Sequence, residues 1–238
     1  MKKVVIHQPL FFPWIGMFEQ IRLADIYMHY DDAAISLSGG LINRIKIKTV
    51  NGSVWITVPI FRKGEQLISE VKIDNVKKWK DKHIKSLEQN YSRAPYVNDM
   101  LEIVKDVYSK DINRLMDLNI YAIEKVLSYF NLKSEIMMTS DLNINSKSSE
   151  KVLDLVKAVR GNTYITGDGA RNYLKHDLFE KHEIKVKYMD YKRLSYPQLY
   201  GEFDPHVSVL DLIANMGTEG SKYICSGSIY WKDYMGLN

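Results

Sequence analysis

Two stretches of the chain hold the residue types that chemistry needs. The first is His7-Gln8-Pro9-Leu10-Phe11-Phe12-Pro13-Trp14-Ile15-Gly16. It joins an imidazole that titrates near neutrality, an amide, two stiffening prolines and the start of a helix, whose free amides can receive an anion. The second runs from Tyr196 to Asp211 and sets Gln198, Glu202, Asp204, His206, Ser208 and Asp211 among aromatics and two prolines. A histidine near a carboxylate suits proton transfer at neutral pH, and packing alone does not call for so many polar groups. Smaller candidates lie between. Asp31-Asp32 could hold a divalent cation against a diphosphate. Asn43-Arg44, with Lys46 and Lys48 beyond, could clamp phosphates beside the Gly39-Gly40 loop. Gly167-Asp168-Gly169 would let a ligand approach the backbone closely, although the full dinucleotide fingerprint is absent. Each has a plainer structural reading: a satisfied strand-end histidine, solvated turn acids, the outer face of a hairpin, a tight turn, and a helix cap at Ser208 or Asp204.

These residues need elements to position them. Lys3-Val4-Val5-Ile6-His7 reads as a short buried strand, and Pro13 precedes the apolar period Trp14, Met17, Phe18, Ile21 of a helix. Ala24-Asp25 ends that helix, and residues 26–30 form a second strand. This entry belongs to open parallel sheets, where ligands sit outside the carboxyl ends of the strands. Residues 44–58 read as a hairpin turning at Asn51-Gly52, with Ile45, Ile47 and Thr49 on an apolar face and Arg44, Lys46 and Lys48 on a cationic one. Over residues 79–130 the period is helical, broken at Ala94-Pro95. Strands at 136–139, 163–166 and 184–188 then alternate with helices at 148–159, capped by Gly161, and at 207–213; a short helix also follows Gly169 through Tyr173. The expected fold is α/β: a mainly parallel sheet with helices on both faces, an N-terminal β hairpin and a central helical insert at about 79–131, in a single domain over 1–238.

Composition removes several classes. The 238 residues carry 33 Lys+Arg against 29 Asp+Glu, a net charge of +4 without a basic stripe, so nucleic acid is not an expected partner. No apolar run approaches the roughly 20 residues that cross a bilayer, and Met1-Lys2-Lys3 leads into too short an apolar segment for a signal peptide. The one cysteine, Cys225, excludes a disulfide scaffold and a cysteine-based zinc site, and its setting suits an inert thiol. A soluble cytoplasmic protein is expected.

Taken together, the motifs resemble the WbqC-like family. His7-Gln8-Pro9, Phe12-Pro13-Trp14-Ile15-Gly16, Ala24-Asp25 and Asp31 are similar to the family's opening. Asn43-Arg44, Trp55 with Val58-Pro59, Tyr91 with Ala94-Pro95-Tyr96, Tyr164 with Gly167, and Tyr196-Gln198 follow in the family's order, ending in Ser-x-x-Asp-Leu-Ile-x-Asn-x-Gly at Ser208 to Gly217. His206 departs from the pattern, where the family has an uncharged or amide residue. The resemblance implies a cytoplasmic enzyme of surface-polysaccharide (O-antigen, lipopolysaccharide) biosynthesis, with acyl or amino-acyl transfer onto amino sugars as its activity. The entry unit also resembles adenylate-forming nucleotidylyl enzymes, with Trp14-Ile15-Gly16-Met17 in place of their His-x-Gly-His.

The leading reading is therefore a transferase that forms an amide on a nucleotide-linked amino sugar. His7 would be the base. Gln8, Asn43 or the amides of the helix at Gly16 would hold the oxyanion, and Arg44 the diphosphate. Asp204 and Asp211 would orient the amine or the sugar hydroxyls; Trp14, Asp31, Asp168, Tyr196, Gln198, His206 and Ser208 complete the expected substrate contacts. A sugar-nucleotide glycosyltransferase using Asp31-Asp32, or a non-catalytic sugar-nucleotide-binding protein, are the alternatives. The sequence leaves open whether ATP with Mg²⁺ or another acyl donor takes part, whether a metal binds, and whether the chain forms a homo-oligomer.

Overall fold

A computed structural model describes residues 1–35, 40–61, 64 and 66–237; Gly39, half of the loop set beside Asn43 above, lies outside the described residues. The chain opens with β1 (Lys3–His7), α1 (Ile15–Leu23) and β2 (Ile26–His29), then the hairpin β3 (Arg44–Thr49) and β4 (Gly52–Thr57). A small pair, β5 (Ile60–Phe61) and β6 (Lys72–Ile73), precedes three helices, α2 (Trp79–Tyr91), α3 (Val97–Ser109) and α4 (Leu115–Tyr129). The sheet resumes with β7 (Glu135–Met138), α5 (Ser148–Ala158), β8 (Thr163–Thr166), α6 (His176–Glu180) and β9 (Lys185–Asp190), followed by α7 (Val209–Met216), β10 (Gly227–Tyr230) and α8 (Trp231–Met235).

The main sheet has the order β10-β9-β8-β1-β2-β7, parallel except at β10. Val4 and Val5 are both fully buried, because β1 is central and covered on both faces. From β1 the chain builds outward through β2 to β7, then returns to the other side of β1 for β8 and β9. The order therefore reverses between β1 and β8, whose pairing sets Val5 against Ile165. The pleat sends Val5 and Tyr27 into a core shared with α1 to α4, α7 and the hairpin. Val4, Ile6, Ile26 and Met28 face a second core closed by α5, α6 and α8. Helices thus cover both faces.

Local chemistry shifts four expectations. Thr49 pairs with Gly52, so the hairpin turns at Val50-Asn51, and the positive φ (101°) falls on Gly52, the first residue of the return strand. The cationic face is interrupted too, since Lys48 is buried and its Nζ donates to Glu202 O at 2.6 Å. At the end of α5 the left-handed residue is Arg160 (φ 56°), one before the glycine. Gly161 N–H bonds Val156 O at 2.8 Å and Arg160 N–H bonds Lys157 O at 2.9 Å, a Schellman closure. Gly161 is needed for space, as a Cβ there would lie 2.5 Å from Val4 Cγ2. The short helix expected after Gly169 is a single 3₁₀ turn, Asp168–Ala170.

The exit from β1 is held firmly. Phe11 and Phe12 are fully buried, and Phe12 takes a φ of 32°, a conformation that costs a non-glycine residue about 1–3 kcal/mol. Asn119 of α4 donates through Nδ2 to Pro9 O at 2.9 Å and to Ile42 O at 2.8 Å, while Ser208 Oγ donates to Phe12 O at 2.7 Å. Asn119→Ala would strand two buried carbonyls, each worth about 1–3 kcal/mol. A urea titration should show a fall of roughly that size; an unchanged midpoint would mean that the aromatics alone hold the loop.

Candidate functional site

In doubly wound sheets ligands bind beyond the carboxyl ends of the strands, where the order reverses. Here that position lies between His7, the last residue of β1, and Gly167, which follows β8. A crevice opens there as two adjoining lobes. The smaller, about 350 Å³, is walled by Ile6, His7, Gln8, Tyr30, Thr166, Gly167, Gly169, Ala170 and Tyr173. The larger, about 550 Å³, is bounded by His7, Leu10, Trp14, Met17, Gln20, Leu41, Gly167, Asp168, Gly169, Met189, Asp190, Tyr191, Arg193 and Tyr234. His7, Gly167 and Gly169 belong to both, so the imidazole stands at their junction.

His7 has a defined tautomer. Its Nδ1 lies 2.8 Å from Gln8 O, and a carbonyl can only accept, so Nδ1 carries the hydrogen and Nε2 keeps its lone pair. Burial lowers the pKa of the ring, with partial opposition from the Gln8 carbonyl, so the imidazole is neutral at pH 7. Beside it in the β1–β2 register is His29, fully buried, with neither ring nitrogen hydrogen-bonded within the described residues. Burial pushes His29 down to about 4, against the opposing charge of Asp31 and reinforced by His7.

Other walls follow from local sequence. Trp14 precedes α1 and swings its indole across Gly16, where a Cβ would meet the ring at 2.1 Å; its edge packs on Tyr191 at 5.3 Å. Gly16 is buried beneath that ring and borders neither lobe. Asp168 is exposed and accepts from Tyr234 Oη at 3.0 Å. Gln8 borders the smaller lobe while its Nε2 donates to Ala34 O at 3.2 Å.

The remaining candidates gather elsewhere. Asp31 is buried and accepts from Thr139 Oγ1 at 2.9 Å and Ser140 N at 3.0 Å; Asp32 pairs with Lys151 at 2.5 Å. Among the described residues, no group of three or more His, Cys, Asp or Glu side chains could hold a metal ion. Asn43 Nδ2 donates to Val58 O at 2.8 Å, and the Arg44 guanidinium stacks 4.7 Å from the Trp55 ring. Arg44, Lys46, His206 and Ser208 line a narrow cleft that, among the described residues, shares only Trp14 and Leu41 with the crevice.

The 196–211 segment is fastened to the hairpin and α2. Asp204 pairs with Lys46 at 2.9 Å and accepts from Ser53 Oγ at 2.8 Å, and Gln198 brackets its backbone at both ends. Burial would raise the Asp204 carboxyl, but hydrogen bonds from Lys46, the His206 amide and Ser53 outweigh it and hold it at about 2. Ser208 caps α7 at Leu210 N. Asp211, fully buried, accepts from Tyr91 Oη at 2.8 Å and Tyr196 Oη at 2.9 Å; burial raises its pKa against those bonds. Of the expected site residues, His7, Gln8, Trp14 and Asp168 therefore meet at the crevice. Asn43, Arg44, Tyr196, Gln198, Asp204, His206, Ser208 and Asp211 lie around the hairpin and α7. The crevice also takes Gln20, Tyr30, Tyr173, Asp190 and Arg193, which sequence reasoning passed over. Only Gln20 left a trace, as a polar residue in the apolar period of α1.

Comparison with known proteins adds a family. The profile of the WbqC-like protein family matches residues 8–223. The chain is 33% identical over 228 residues to uncharacterized protein Rv1507c of Mycobacterium tuberculosis (strain ATCC 25618 / H37Rv), covering 94% of this chain and 98% of that one. No solved structure matches.

Two expectations follow from the geometry. Asp211→Asn offers one oxygen acceptor where two tyrosine hydroxyls need them, so stability should drop by about 1–3 kcal/mol in a denaturant titration while ligand binding in the crevice is retained. Loss of binding at full folding would place Asp211 in the site after all. His29 and His83 both have folded pKa values near 4, below the 6.5 of the free side chain, so the unfolded chain binds more protons between those values. Their stabilising effect is complete above pH 6.5 and declines as pH falls toward 4. Melting temperature against pH should flatten over that window in His29→Leu; an unaltered slope would rule His29 out as a source of the acid sensitivity.

Proposed function

The chain belongs to the WbqC-like protein family, and from that premise we propose that it is a transferase forming an amide on a nucleotide-linked amino sugar for surface-polysaccharide biosynthesis. The observation that carries the reading is the position of His7. A neutral imidazole, its Nδ1–H tied to Gln8 O and its Nε2 unprotonated, stands where two lobes of substrate size meet. Group transfer needs two ligands in reach of one base. Its lowered pKa keeps His7 in the proton-accepting form at neutral pH.

In this reading the amine attacks the donor carbonyl, His7 Nε2 takes the amine proton, and the C–N bond forms as the donor's leaving group departs with a proton returned by His7. Trp14 offers a flat face for a sugar ring. Gly167 and Gly169 let phosphates approach the backbone. Arg193 is the only Lys or Arg among the described residues lining either lobe, and it would balance their charge. Asp168 and Asp190 would receive the amine or sugar hydroxyls. The glycosyl-transfer alternative loses its anchor, because the carboxylates of Asp31 and Asp32 are engaged by Thr139, Ser140 and Lys151.

The test starts with thermal shifts against nucleotide-linked amino sugars, acyl-coenzyme A donors and ATP with Mg²⁺, since ligands selective for the folded state raise its melting temperature. The pairs that bind are then assayed for amide formation by mass spectrometry. His7→Gln should lower kcat by about 10²–10⁴-fold with folding intact. The wild-type rate should be flat at neutral pH and fall only as His7 protonates, below 6.5. Full activity in His7→Gln would remove the base; a shift that appears only with a sugar nucleotide plus Mn²⁺ and yields no amide would move the assignment to glycosyl transfer. Binding without turnover would make the chain a binding protein.

A further inference from the structure

Amide formation at His7 generates an oxyanion, and the side-chain donors expected from sequence are engaged, Asn43 with Val58 O and Gln8 with Ala34 O, while Gly16 lies beneath the Trp14 ring and lines neither lobe. Gln20 is not engaged. It sits on α1, is only 5% exposed, lines the larger lobe together with His7, and makes no hydrogen bond to any described residue. Its amide atoms are not enclosed but open on the crevice. There they are placed to meet a polar group that arrives with a ligand.

The backbone opposite comes close to this amide. A Cβ on Gly167 would lie 2.8 Å from Gln20 Nε2, while the φ of Gly167, −96°, suits any residue. The glycine therefore leaves room for the Gln20 amide rather than supplying backbone freedom, and a methyl there would push the flexible amide aside. It also places the amide against the strand-order reversal, in the lobe that His7 and Gly167 share.

We propose that Gln20 is a catalytic residue of the transferase, its Nε2–H donating to the oxygen of the donor carbonyl as that oxygen becomes negative. The inference rests on the amide-forming reading. As the amine lone pair adds to the carbonyl carbon, the π pair moves onto the oxygen held by Gln20, and His7 Nε2 takes the ammonium proton. Collapse restores the carbonyl and expels the leaving group, which is protonated by His7. Gln20 gains and loses no proton, so its contribution is the same at every pH where His7 is neutral. A hydrogen bond that strengthens only in the transition state raises kcat and leaves KM alone.

The experiment compares wild type, Gln20→Leu, Gly167→Ala and the double variant on the donor–acceptor pair that wild type converts. Removing one oxyanion donor lowers kcat by about 10²–10³-fold, so Gln20→Leu should show that loss with KM within about twofold. Gly167→Ala leaves Gln20 in place and pushes its amide aside, so it should show a similar loss, and the double variant should fall no further. Melting curves on all four report folding, and Gln20→Ala substitutes where leucine fails to fold. Wild-type kcat in Gln20→Leu, a change confined to KM, or multiplicative losses in the double variant would overturn the assignment of Gln20 and leave the transferase standing. A wild type that binds its ligands in the crevice and joins no pair would overturn the transferase reading, and this inference with it.

Discussion

A single buried amide governs the geometry at the head of the sheet. Asn119 reaches from α4 to the carbonyls of Pro9 and Ile42, and so ties the exit of β1, the approach to β3 and the helical layer into one unit. Its own Oδ1 is buried without a partner among the described residues, a penalty accepted for two good bonds. The chain leaves a strand covered on both faces and must turn at once, which requires the left-handed Phe12 and the two prolines. With that turn fixed, His7 can point only where the pleat sends it. α1 then starts at a position that brings Trp14 over Gly16 and Gln20 against Gly167.

The helical layer is accordingly part of the site's support. It packs against the same face of the sheet that bears His7 and His29, and contributes to a core that also takes the hairpin and α7. Asp211, Tyr91 and Tyr196 form the matching fastening on the far side: one carboxylate gathers hydroxyls from α2 and from the 196–211 loop. Polar groups there are as dense as at the crevice, but their bonds are made within the chain.

That contrast explains what could be read in the sequence. Strands and helices with long apolar periods, such as β1, α1 and α2 to α4, were legible because burial writes a repeating pattern. The strand β10 was not: Gly227-Ser228-Ile229-Tyr230 has four residues, one aliphatic, and pairs only because β9 offers an edge. At the site, His7 and Trp14 stood out by type and by their prolines. Tyr30, Asp190 and Arg193 did not, because single residues at or beyond the ends of β2 and β9 converge only after the sheet is assembled. Residue type also could not separate a carboxylate bordering the crevice from one fastened inside the chain. Asp168 is exposed at the crevice, whereas Asp204 is held by Lys46 and Ser53 and Asp211 is buried against two tyrosine hydroxyls.

The meeting of the two lobes at one imidazole has a further consequence for what leaves the crevice. A molecule whose halves are joined across His7 occupies both lobes at once, and its second half binds at the effective concentration of a tethered pair, in the millimolar range for short linkers. In the proposed transfer the joined product would be such a molecule. Its departure would have to break both sets of contacts together, so the junction that would bring two reactants within reach would also slow release and favour a non-hydrolysable compound spanning both lobes.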